Sequence, residues 1–179
     1  MGGDILSKQE IINNIINLEG GYVNNPLDSG GETNYGITKQ VASDNGYDGP
    51  MNELPRFIAF DIYSDLYWDS VKADAMPIAL AAEMVDNAIN MGPGRAAEFL
   101  QKALNALNDK QRLYSDIAVD KSIGNQTLRA MNSYLKVREV EVLLKAINCL
   151  QGAFYIELSQ KRPKDETFVY GWLKNRISL

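Results

Sequence analysis

The sequence predicts a mainly α-helical protein of about seven or eight helices with one small β-hairpin near residues 22–38. Three observations carry that expectation. Apolar residues recur at i, i+3, i+4 spacing in segment after segment, glycine or proline punctuates most of the gaps, and only residues 22–38 combine dense turn formers with a short strand-like run. No repeat, low-complexity tract or flexible interdomain linker breaks the pattern.

The first helix is expected from about Ser7 to Leu18, where Ile11, Ile12, Ile15, Ile16 and Leu18 share a side and Ser7 with Glu10 forms a capping box. Gly20 and Gly21 end it. The loop that follows holds NNP and DSGG, then NYGIT, which suits a small strand or hairpin. Thr38 begins a brief helix that Gly46 closes. After NGYDGP, Asn52 is expected to cap a core helix carrying Leu54, Phe57, Ile58, Ile62, Leu66 and Tyr67, with Pro55 in its first turn. Met76–Ile89 is an alanine-rich helix broken at NMGPG, and Arg95–Leu107 forms its helical partner. DKSIGNQT (120–127) makes a turn into Leu128–Leu135. A long helix is expected from about Lys136 to Gln160, and a terminal one from about Asp165 to Ile177 carries Phe168, Trp172 and Leu173.

Composition narrows the chemistry. With 179 residues, 45% hydrophobic and a mean hydropathy of −0.25, the chain is able to bury a real core. No stretch approaches the roughly 18 apolar residues of a membrane span, and MGGDILSKQE lacks the pattern of an export signal, so synthesis in the cytoplasm without a signal peptide is expected. Cys149 is the only cysteine; its apolar helical setting suggests a buried, inert thiol. The absence of histidine removes Ser-His-Asp and Cys-His catalysis and the common zinc motifs. Hydrolysis would have to run on carboxylates. Residues 1–100 hold 5 Lys/Arg against 15 Asp/Glu and residues 101–179 hold 13 against 8, giving −10 in front and +5 behind. Two solvated faces would explain this asymmetry, as would a rear half that meets an anionic polymer such as a cell wall. Nucleic acid is a poor partner, since no dense basic stripe interleaved with aromatics occurs.

Glu19 lies three residues after Ile16, four after Ile15 and seven after Ile12, so helical geometry sends its side chain out on the apolar face. Carboxylates avoid that face. Loss of solvation there favours the protonated form from which a general acid works. Asp28, nine positions on, sits among Asn, Asp, Ser and Gly, which keep an acid hydrated and ionised. Two carboxyl groups in contrasting surroundings are the pattern for cleaving a glycosidic bond: one protonates the leaving oxygen, the other supports or attacks the oxocarbenium-like centre. Thr33 is positioned to hold a water near Asp28, and Tyr22, Tyr35, Tyr67 and Trp68 to line a sugar groove. A structural use of the same residues stays open at this point, with Glu19 capping amides, Asp28 and Thr33 making turns and the aromatics packing.

The string EGGYVNNPLDSGGETNYGIT (19–38) resembles the signature of the glycoside hydrolase family 108 muramidases, phage and bacterial wall lysins of which some are called secretion activators. E-G-G-Y-V, N-P, D, G-G-x-T and G-I-T follow in order, and the family's catalytic glutamate corresponds to Glu19. The likeness continues in IYSDLYW (62–68), DNAINMG (86–92) and LQKALN (100–105). VDKSIGNQT (119–127) and FVYGWLKNRI (168–177) are similar to the peptidoglycan-binding half that follows the enzyme segment in this family; Lys121 stands where that half usually has glycine. A looser likeness joins the chain to phage-type lysozymes, which share a lysozyme-like helical fold; Glu19 and Asp28 keep their glutamate-to-aspartate spacing, and Thr33 arrives one residue early.

The resemblance implies a muramidase segment at 1–90 and a peptidoglycan-binding segment at 91–179, packed as one compact unit. It implies an N-acetylmuramidase cutting the β-1,4 bond between N-acetylmuramic acid and N-acetylglucosamine. Glu19 would donate the proton, Asp28 would stabilise positive charge or activate water, Thr33 would orient that water, and Asn34, Tyr35 and Asn87 would contact the glycan. No metal or cofactor is called for, and a holin or a host secretion system would deliver the protein to the wall. The alternative is a non-catalytic wall-binding or secretion-associated protein on the same fold.

Overall fold

The computed structural model describes residues 7–24 and 31–177, among which eight α-helices and one three-stranded antiparallel sheet are found. The chain packs as two units that divide between Ser70 and Val71.

In the first unit, α1 (Lys8–Glu19) opens on the expected capping box. The Ser7 Oγ accepts the Glu10 N–H at 3.2 Å and the Ser7 N–H donates to Glu10 Oε2 at 2.7 Å. Ser7→Ala is expected to destabilise this unit by about 1 kcal/mol, read as a lower midpoint in a thermal melt. Ile11, Ile12 and Ile16 are buried, and α1 packs on α3 (Arg56–Tyr63). Arg56 pins the two helices: its Nε and Nη2 donate to Asn13 Oδ1 at 3.1 and 2.9 Å, and Nη2 also reaches Asn17 Oδ1 at 2.8 Å.

Helix α3 starts later than expected. Pro50 and Pro55 are both extended, so residues 51–53 form only a 3-10 turn and Leu54 is buried from a connector rather than from a helix. Past Tyr63 the chain continues as a π-helical turn, Ser64–Asp69. Between α1 and α3 lie β1 (Val23–Asn24), β2 (Glu32–Asn34), β3 (Ile37–Thr38) and α2 (Lys39–Asp44), the last capped by Thr38 Oγ1. The strands are in the order β1-β2-β3, with Thr33 opposite both Val23 and Thr38. The expected hairpin is thus a three-stranded sheet.

The regular structure of the second unit, among the described residues, is helical: α4 (Ile78–Met91), α5 (Pro93–Ala106), α6 (Asn125–Leu135), α7 (Val140–Lys161) and α8 (Glu166–Arg176). Leu80, Met84, Leu100, Leu104, Leu143 and Ile147 are fully buried at its centre. Because α4 packs most extensively on α5, it goes with this unit.

The turn around residue 120 is held by a polar row on α5. Gln101, buried, donates to Asp120 Oδ1 at 2.7 Å and to the Ser122 carbonyl at 2.9 Å, and accepts the Lys121 N–H at 3.1 Å. One turn on, Asn105 exchanges two hydrogen bonds with the backbone of Ile117. Lys121 has φ 65°, which explains why glycine suits this position, and its Nζ lies 3.6 Å from Glu98 Oε2. Cys149 corrects the sequence expectation: it is exposed, because the buried face of α7 runs through Leu143, Ile147, Gln151 and Tyr155 and position 149 lies on the other side.

Candidate active site

Glu19 is the last residue of α1, and it is exposed, not buried as its periodicity suggested. The face is the one expected, but the last turn runs past the packed region: Asn17, Gly20 and Gly21 are exposed too, and Leu18 is 86% accessible. Glu19 therefore stands at the rim of the first unit's core.

What lies against it comes from two distant segments. Strands β2 and β3 are joined by the two-residue turn Tyr35-Gly36, with φ of 53° and 71°, the positive values that let a tight turn follow the twist of its strands. A Cβ added to Gly36 would lie 2.8 Å from Glu19 Oε2, 3.1 Å from Glu19 Cβ and 3.0 Å from Tyr63 Oη. Only glycine lets the turn lie this close to the carboxyl group. From α3, Tyr63 is buried and its hydroxyl donates to the Tyr35 carbonyl at 3.0 Å, which fixes the turn. Tyr67 lies one helical turn on, its ring centroid 5.5 Å from that of Tyr63.

Both phenols are raised above their ordinary range, first by burial and then by the nearby charge of Glu19. They remain neutral over the whole physiological range. The arrangement is a carboxyl group backed by a glycine turn and by two protonated tyrosines, with an open side toward solvent. Such a group is placed to exchange a proton with an oxygen of a bound ligand.

The other expected site residues divide sharply. Asp28 lies outside the described residues. Thr33 is half-buried at the centre of β2, and Tyr35 is half-buried in the turn itself. Asn34 is a correction: it is buried and its Nδ2 donates to the Met51 carbonyl at 2.7 Å, so it ties the sheet to the neighbouring 3-10 turn instead of facing a ligand. Asn34→Ala is expected to cost about 1 kcal/mol by removing this hydrogen bond from a carbonyl that keeps the Leu54 N–H at 3.3 Å, measured as a shift in the denaturant midpoint. Asn87 is a second correction. It belongs to the second unit and is fully buried, donating to the Glu83 carbonyl at 2.9 Å and to Glu83 Oε1 at 2.8 Å.

Of the aromatics, Trp68 is buried with Lys8 Nζ 5.4 Å from its ring centroid, so it packs in the core. Tyr22 donates to Glu32 Oε1 at 2.8 Å, and Lys39 Nζ contacts Glu32 Oε2 at 3.2 Å. These two partners hold the Glu32 carboxyl below its ordinary range. Sequence reasoning passed over Glu32, Gly36 and Tyr63. The i, i+4 spacing of Tyr63 and Tyr67 and the Tyr-Gly pair between two short strands were the available signals.

Residues 12–92 match the family described as glycosyl hydrolase 108, and residues 95–177 match one described as predicted peptidoglycan domain. The first match ends at the close of α4, so it includes a helix that packs with the second unit. No curated protein sequence matches the chain. Among solved structures, that of Brucella abortus SagA is similar, with a TM-score of 0.69 and 26% identity over 94% of this chain and 88% of that one. The shared architecture is a mainly α, lysozyme-like fold. Residues 12–92 thus match the glycosyl hydrolase 108 family and residues 95–177 the predicted peptidoglycan domain, the two matches following one another along the chain.

Proposed function

We propose that the protein is an N-acetylmuramidase that hydrolyses the β-1,4 bond between N-acetylmuramic acid and N-acetylglucosamine, with residues 1–90 supplying the chemistry and residues 91–179 engaging the wall. The observation that carries this reading is the Glu19 carboxyl seated against the Tyr35-Gly36 turn and the Tyr63–Tyr67 pair, open to solvent on its remaining side.

Glu19 gives its proton to the glycosidic oxygen as the bond to the anomeric carbon of N-acetylmuramic acid breaks. Positive charge then develops on that carbon and its ring oxygen. Asp28 stabilises this charge or takes a proton from the attacking water, and Thr33 orients the water. Tyr35, on the turn that touches Glu19, contacts the glycan. The neutral state of Tyr63 and Tyr67 keeps a second negative charge away from Glu19, and the Tyr63 hydrogen bond holds the turn in register. The site of action is the cell wall, reached through a holin or a host export system.

The product ends test the bond. Wall fragments released by the protein are reduced with borohydride and hydrolysed; muramitol is expected. Glucosaminitol would assign the cut to the other bond, and binding to the wall without any new reducing ends would favour a non-catalytic wall-binding protein.

A further inference from the structure

Within the second unit, α4, α7 and α8 enclose an open cavity of about 260 Å³ that is lined by Asn90, Phe154, Tyr155, Arg162, Trp172 and Arg176, among others. Its floor is aromatic. Tyr155 and Trp172 lie with ring centroids 5.2 Å apart and an interplanar angle of 33°, and Phe168 stacks on Trp172 at 6.1 Å. Its rim is cationic. Arg176 donates through Nη1 to Asp86 Oδ1 at 3.0 Å, which orients the guanidinium and uses one of its five N–H groups. Arg162 makes no side-chain hydrogen bond or ion pair among the described residues, although the backbone around it is well tied: its N–H donates to the Leu158 carbonyl at 2.9 Å.

Two guanidinium groups over an aromatic floor suit a ligand with a carboxylate on a compact body. The planar fork pairs with a carboxylate in two parallel hydrogen bonds, and the rings cover the aliphatic remainder. The half of the chain that carries the cavity is also the net positive half, with 13 Lys/Arg against 8 Asp/Glu over residues 101–179.

We infer that the cavity between α4, α7 and α8 binds the carboxylate-bearing stem peptide of peptidoglycan, with Arg162 and Arg176 receiving the carboxylates and Trp172 and Tyr155 the peptide body. This rests on the reading that peptidoglycan is the partner of the second half. It is independent of Glu19: the first unit would cut the glycan strand, while this cavity would sense whether that strand carries its peptides.

The test uses the full chain and the free tripeptide L-alanyl-γ-D-glutamyl-diaminopimelate, which contains no glycosidic bond. Binding is followed by calorimetry and by tryptophan fluorescence. The parent is expected to bind the tripeptide with an affinity that falls as salt is added, and Arg162→Gln and Arg176→Gln to bind it at least about tenfold more weakly. Arg162→Gln removes a side chain without a hydrogen-bond or ion-pair partner among the described residues, so it keeps the fold; Arg176→Gln leaves Asp86 alone, and its melting curve is recorded beside it. Equal affinity of parent and Arg162→Gln overturns the inference, as does equal binding of the tripeptide with its carboxylates capped as amides, or displacement by inorganic phosphate at the same concentration. Failure here and failure of the enzyme reading are distinguishable. If Glu19→Gln stops wall clearing while Arg162→Gln binds the tripeptide like the parent, only the cavity assignment falls. If Arg162→Gln loses the tripeptide while clearing is indifferent to Glu19, only the muramidase reading falls.

Discussion

Glu19→Gln is expected to slow the clearing of cell-wall suspensions at least about a hundredfold, with a thermal midpoint equal to that of the parent or slightly higher. Removing a general acid typically costs two to four orders of magnitude in rate, roughly 10²–10⁴-fold. Glutamine fills nearly the same space beside Gly36, so the contact with the turn is kept and only the transferable proton is lost. The stability side follows from helix electrostatics. Glu19 stands at the C-terminal end of α1, where the helix dipole presents negative charge, and the last turn holds no basic residue to offset it. A carboxylate there is unfavourable, so neutralising it does not weaken the fold. Loss of turnover without loss of stability is the signature of a residue kept for chemistry. Turbidity, new reducing ends and a melting curve for both proteins make the comparison. Equal clearing by the two would remove Glu19 from the mechanism.

Gly36→Ala carries the second large effect, and it strikes stability and activity together. A residue with a Cβ at φ 71° costs roughly 1–2 kcal/mol in backbone strain. The added carbon would also meet Glu19 Oε2 at 2.8 Å, Glu19 Cβ at 3.1 Å and Tyr63 Oη at 3.0 Å. Glu19 Cβ is fixed to α1 and Tyr63 Oη is held by the Tyr35 carbonyl, so relief has to come from movement of the turn or rotation of the Glu19 side chain. A displacement of about 1 Å at a catalytic group is enough to lower a rate by around a hundredfold. Gly46→Ala is the control. Gly46 also has positive φ, 88°, but a Cβ there meets nothing within 4 Å. That variant is expected to share the backbone cost, seen as a lower midpoint in thermal melts, and to clear walls at the parental rate when assayed well below its midpoint. If Gly36→Ala is as active as Gly46→Ala, the close approach of the turn to Glu19 plays no part in turnover.

Both predictions concern contacts of different legibility in the sequence. The start of α1 was readable because its signals are local: Ser7 and Glu10 are three residues apart, and the isoleucines repeat at helical spacing. The late start of α3 was not, because two extended prolines, not the capping ability of Asn52, decide where that helix begins. Cys149 shows the limit of periodicity on a long helix. α7 buries Leu143, Ile147, Gln151 and Tyr155, and an apolar neighbourhood in sequence placed the thiol on the wrong side of that stripe.

The same division runs through the site. Sequence alone determined that the protein is mainly helical and where α1 is capped, singled out Glu19 by an acid at the end of an apolar stripe, and pointed to the family through the string from Glu19 to Thr38. Those features depend on neighbours within a few positions or on the order of residue types along the chain. Tertiary structure decided that Glu19 is exposed at the rim of the core, that Gly36 and Tyr63 are the groups against it, and that Asn34 and Asn87 are buried. Those facts depend on segments far apart in sequence, such as Tyr63 with Tyr35, 28 positions away, meeting in space. Periodicity sets the direction in which a side chain leaves its helix; whether it meets protein or solvent is set by how far the packed neighbours extend.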